Sequence, residues 1–152
     1  MTDPSYTIAD TLTFSRAKPG RFNTQTFGAL YMVVDPDTAL AELIRRAHLV
    51  NRRPAHFHPR ALFTYDVRLQ NVLDLTSDTT LMAWGLDHSI IASDAHAACQ
   101  EVAAAAHRDG YEAIRYPSVT GRGDNMAVYY EVRHPGSYVE EVGRASIDLD
   151  SL

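Results

Sequence analysis

The sequence is short of several things, and each shortage removes a class of explanation. One cysteine, Cys99, occurs in 152 residues, so no internal disulfide can staple the chain. Its Ala-rich surroundings, AHAACQEVAAAAH, suit a small buried side chain better than a reactive thiolate. There is one lysine, Lys18, and the formal net charge is −5. A general nucleic-acid binder needs a basic face that displaces counterions from phosphates, and this chain has no such excess. No apolar run reaches the roughly eighteen residues that a membrane helix needs, and the first twenty residues hold no apolar signal-peptide core. These absences predict a cytoplasmic protein with no membrane association and no direct contact to nucleic acid. No repeat or Gly/Ser linker divides the sequence, so residues 1–152 read as one domain, long enough to bury roughly two-thirds of its unfolded surface.

What is present is a succession of short elements. Before Arg21 the text is turn-rich, with Pro4, Pro19 and Gly20, and predicts one short strand at residues 11–15. TFGALYMVV, residues 26–34, is β-rich, and alternation places Phe27, Ala29, Tyr31 and Val33 on one face. Both faces are apolar, which predicts a central strand. Asp35-Pro36 then supplies an N-cap and a first helical residue, starting a helix that runs to about His48. Leu40, Leu43, Ile44 and Ala47 form its apolar stripe, and Glu42 lies half a turn away. LFTYDVRLQNVLDL reads as one or two strands with a break at Asn71, residues 78–86 as a short helix, and residues 94–108 as a second long helix stopped by Gly110. Strands are expected at 113–116 and 126–132 around the turn-dense loop PSVTGRGDN, with one more beyond Pro135. Helices do not alternate regularly with strands, so the expected class is mixed α+β.

Several constellations invite a chemical reading, and each has a plainer one. His56 and His58 fall on one side of an extended HFH segment, with His48 and Asp66 as conceivable further ligands, yet no third ligand stands at a diagnostic spacing. Two histidines among prolines and arginines read first as a polar surface turn. Ser118 lacks the G-x-S-x-G elbow of a serine hydrolase. GRGDN resembles a phosphate loop only in composition, because no helix start follows it. The arginines at 45, 46, 52, 53 and 60 form a basic run that reads as a solvated face, or otherwise as a surface meeting an acidic partner or guiding an anionic substrate. Taken singly, Arg21 is a turn residue, Tyr31 a core aromatic and Glu42 a helix-surface carboxylate.

Their joint order says more. G-R-F-N, then F-G-x-L-Y, then D-x-x-x-A-L-A-E place Arg21, Tyr31 and Glu42 in sequence, and HRDGYEAIRYPS with GRGDNMAVY adds Ser118 and Asn125. NVLDLT at 71–76 completes a pattern that resembles the RES domain family, whose members are toxins paired with Xre-type antitoxins. The resemblance runs from about Arg21 to Tyr130. It implies a fold similar to diphtheria-toxin-type ADP-ribosyltransferases, with mainly antiparallel sheets and flanking helices. It also implies an enzyme that takes NAD+ as substrate and is held by a cognate Xre-family antitoxin; no metal and no cofactor besides that substrate are expected. By this resemblance Glu42 and Arg21 are catalytic, while Tyr31, Ser118 and Asn125 bind substrate. Family members often have a longer segment before the arginine; here Tyr6 and Arg16 are the substitutes expected near the substrate. The implied activity is cleavage of the nicotinamide–ribose bond as a glycohydrolase or phosphorylase. Mono-ADP-ribosyl transfer to a protein and a non-catalytic nucleotide-binding module are the alternatives.

Overall fold

The computed structural model describes residues 2–57 and 59–150. The chain opens with helix α1, Ile8–Ala17, where a strand was expected at 11–15. The physical reason is the cap. Thr7 Oγ1 accepts the Asp10 N–H at 3.1 Å while the Asp10 carboxylate accepts the Thr7 N–H at 2.9 Å, a reciprocal box that outweighs the β-rich composition of TLTFS. Helical spacing then buries Leu12 and Ser15. The Ser15 hydroxyl accepts the Ala29 N–H at 3.0 Å, tying α1 to the chain entering the first strand. Gly28 permits this close approach, since a Cβ there would stand 2.7 Å from the Leu12 carbonyl oxygen.

Strand β1, Leu30–Val33, and helix α2, Pro36–Leu49, follow, with Asp35 accepting the Thr38 N–H at 2.8 Å as the expected N-cap. The break at Asn71 separates β2, Ala61–Arg68, from β3, Val72–Asp74. Short helices α3, Asp78–Ala83, and α4, His88–Ala92, precede α5, Ala97–Arg108; the expected helix 94–108 thus starts later, after a separate turn of helix. Gly110 stops α5 at φ 86°, the left-handed backbone that favours glycine. Strands β4, Ala113–Pro117, β5, Asp124–Val128, and β6, Tyr138–Ser146, complete the chain, and Tyr130–Val132 forms a 3-10 turn instead of prolonging β5.

Two sheets result. One runs β1-β5-β4-β3, antiparallel except for the parallel β3–β4 pair, and the other is an antiparallel β2–β6 ribbon. The architecture is mixed α+β with mainly antiparallel sheets and flanking helices. Strand β1 is an edge of its ladder and not the central strand expected; Leu30 packs on one face, while Tyr31 and Val33 on the other border a cavity. Ala29, Ile114, Ala127 and Tyr129 join a core with residues of α3, α4 and α5, while Leu30, Ala113 and Val128 join a second core with Leu12 and Val139. Apolarity on both faces of a strand does not fix its position in the ladder.

One carboxylate is fully buried among the described residues. Glu112, just before β4, accepts the Gln70 N–H at 2.7 Å, the Asn71 N–H at 2.9 Å and the His134 N–H. Burial pushes its pKa up, but these donors outweigh that and hold it at about 2. No helix among the described residues is long and apolar enough to cross a membrane.

Candidate active site

The sheet and α2 together bring distant residues to one place. Register sets Val33 opposite Asn125 and Asn125 opposite Tyr116, so these three side chains share a row across β1, β5 and β4. Two positions on from Tyr116, Ser118 continues the same face. Helix α2 turns back from the end of β1 and carries Glu42 over this row. Glu42 Oε1 accepts the Ser118 hydroxyl at 2.6 Å and the Asn125 Nδ2–H at 3.1 Å. Its Oε2 has no protein partner among the described residues. Tyr31, Glu42, Tyr116 and Asn125 line one cavity of about 390 Å³, together with Val33 and Leu43.

The loop after β4 is fixed to the start of α2, which is what holds Ser118 on Glu42. The Thr38 hydroxyl donates to the Arg122 carbonyl at 3.2 Å and to Asp35 at 2.6 Å. Gly123 lies at φ 55°, and a Cβ there would run into Thr38 Oγ1. Ser118 is buried, and its hydroxyl also bonds the Thr120 hydroxyl at 2.7 Å. A chain of hydroxyls therefore runs from the loop to the carboxylate.

Tyr31 is anchored by its phenol. The hydroxyl donates to Asn23 Oδ1 and accepts the Phe22 N–H, both at 2.9 Å, so it is engaged within the protein and the ring is the part left half-exposed. Gly20 makes room, since a Cβ would stand 2.7 Å from the Tyr31 hydroxyl oxygen, and Gln100 holds the Gly20 carbonyl at 2.8 Å. Next in the chain, Arg21 donates to the Ser93 carbonyl at 2.8 Å. Arg21 does not line the cavity with Glu42 and Tyr31, but its charge acts on Tyr31 and on Tyr116, and Tyr116 also feels Glu42. Burial pushes both phenols well above the ordinary tyrosine range.

Tyr116 is the site residue that the sequence reading passed over. The available signal was its place two residues before Ser118 on one strand. Conversely, Arg16 pairs with Glu131 at 2.9 Å and Tyr6 lines a different cleft, so neither reaches this cavity. His56 falls in the 3-10 turn Pro54–Phe57, His58 lies outside the described residues, and no group of three His, Cys, Asp or Glu among the described residues is placed to hold a metal ion. The apolar stripe of α2 also needs correction. Ala39, Leu43 and Ala47 are buried, with Thr38, while Leu40 and Ile44 line an open groove beside the site. The bundle of contacts with β1 lies one position round the helix from that expected.

This geometry can be set beside known proteins. No curated protein matches the chain. Among solved structures, a chain of the crystal structure of the M. tuberculosis MbcT-MbcA toxin-antitoxin complex matches with a TM-score of 0.88 at 23% identity, over 99% of this chain and 82% of that one. At that identity the likeness is one of fold. The profile of the RES domain matches residues 1–150, essentially the whole length, and so the chain belongs to the RES domain family.

Proposed function

We propose that this chain is the toxin of a toxin–antitoxin pair and that it cleaves NAD+ at the nicotinamide–ribose bond. The observation that carries the reading is the Glu42 carboxylate, held through Oε1 by Ser118 and Asn125 at the wall of a cavity shared with Tyr31 and Tyr116. In NAD+ the C1′–N1 bond breaks with its electron pair going to the pyridinium nitrogen, so nicotinamide leaves neutral and needs no general acid. The difficulty is the oxocarbenium-like charge left on the ribose. A fixed carboxylate stabilises that charge where it develops. Two donors on Oε1 fix the rotamer of Glu42 and leave Oε2 for the ribose. The exposed face of the Tyr31 ring suits stacking of nicotinamide. Arg21 acts from behind Tyr31, orienting that wall and drawing the anionic part of the substrate.

The acceptor completes the balance. Water attacks C1′ and releases a proton, giving ADP-ribose; phosphate in its place gives the 1″-phosphate; a protein side chain would make the chain an ADP-ribosyltransferase. In this reading a cognate Xre-family antitoxin covers the cavity, by analogy with the fold likeness to a toxin–antitoxin complex. Nicotinamide release from NAD+, followed with and without phosphate, tests the proposal and identifies the acceptor. Glu42→Gln keeps an oxygen for Ser118 but removes the charge, and turnover is expected to fall by about 100-fold or more. Unchanged turnover rejects the role of Glu42.

A further inference from the structure

The groove beside the site remains without a task. It has a volume of about 790 Å³ and is lined by Leu40, Ile44 and Leu49 on its apolar side and by Arg45, His48, Arg122 and one carboxylate, Asp37, on its polar side. Two features join it to the Glu42 cavity. Arg45 and Leu49 line both spaces, Arg45 standing three residues after Glu42 on the same helical face. Thr120 lines the groove while its hydroxyl bonds Ser118, which bonds Glu42. The cavity of about 390 Å³ at Glu42 is near the low end of small-molecule pockets, about 300–1,000 Å³, with room for one half of a dinucleotide. The other half must lie outside it.

We infer that Arg45 and Arg122 form a second subsite, which takes the adenosine-phosphate half of the dinucleotide: guanidinium groups on phosphate oxygens, aliphatic side chains against the base. The inference rests on the reading of the Glu42 cavity as the place of nicotinamide–ribose cleavage. The arginines are available for it. Arg45 has one ion pair, at 3.9 Å to a largely exposed Asp94, and the Arg122 side chain has none among the described residues. Leu40 and Ile44, unused by the core, supply the apolar wall that an adenine needs.

The test compares NAD+ with nicotinamide mononucleotide, which lacks the adenosine-phosphate half. The Arg122 side chain is exposed, so R122A keeps the fold, which thermal unfolding verifies. R122A, at the one of the two arginines that does not line the Glu42 cavity, is expected to raise KM for NAD+ about tenfold, the worth of one charge-assisted hydrogen bond, and to leave nicotinamide mononucleotide kinetics unchanged. Calorimetric binding of ADP should weaken by a similar factor. If wild type binds ADP through Arg122 but releases no nicotinamide, the subsite stands and the cleavage reading falls. Equal effects on both substrates, or an unchanged KM and unchanged ADP binding, overturn the subsite and return the groove to a protein partner.

Discussion

Glu42 illustrates how a residue acquires a role from its neighbours. On α2 it is one of two carboxylates, with Asp37; at 2.6 Å from Ser118 and 3.1 Å from Asn125 it is a fixed charge at a cavity wall. Ser118→Ala removes one of the two donors, so the carboxylate loses orientation but not charge. Turnover should fall by about tenfold, less than for Glu42→Gln, with kcat affected more than KM; a larger loss for Ser118→Ala would reverse the assigned roles. Tyr31 makes a separate prediction. Tyr31→Phe strands the Phe22 N–H and leaves Asn23 Oδ1 with the Gly20 N–H alone, and urea unfolding should show a loss of about 1–3 kcal/mol. Unaltered stability would mean that these bonds are not formed. At this scale the sequence named Glu42, Tyr31, Ser118 and Asn125 through a family pattern, whereas Tyr116 was hidden because its neighbours on the row come from β1 and β5, far away in the chain.

Elements were legible where a local signal governs them. Asp35-Pro36 announced α2, Asn71 the break between β2 and β3, and Gly110 the end of α5, because caps and left-handed stops act over a few residues. Long-range pairing is not written locally. Nothing in TFGALYMVV tells an edge strand that borders a cavity from a central one, and the stripe that α2 buries lies one position from the expected one because Leu40 and Ile44 serve a groove. Thr7-x-x-Asp10 is a local capping signal too, and it starts α1 within a β-rich stretch. The loop from Ser118 to Gly123 is held against the start of α2 by Thr38 and Arg122. Gly123→Ala puts a Cβ into Thr38 at a left-handed φ, so it should cost about 1–3 kcal/mol in urea unfolding and lower turnover by displacing Ser118. A stable, fully active variant would show that the loop does not position the serine.

Across the whole molecule, the sheet carries the site at one end and Glu112 secures the junction of β3, β4 and the turn before β6 at the other. The Glu112 pKa is about 2 folded and near 4.5 unfolded, so the unfolded chain takes up the proton first. Its stabilisation is complete above about pH 4.5 and is lost as pH falls toward 2, a change on the order of 3 kcal/mol. Urea unfolding at pH 7 and pH 3 should therefore differ, and Glu112→Gln should be less stable at pH 7 and flatter across that range; an equal slope in the variant would assign the acid sensitivity elsewhere. The central claim is the cleavage of NAD+ by a cavity built around Glu42. Its most direct test is nicotinamide released from NAD+ by purified wild-type protein and by Glu42→Gln at matched folding: release by the wild type and a fall of about 100-fold or more in the variant is predicted, while no release by the wild type, or equal release by both, would contradict it.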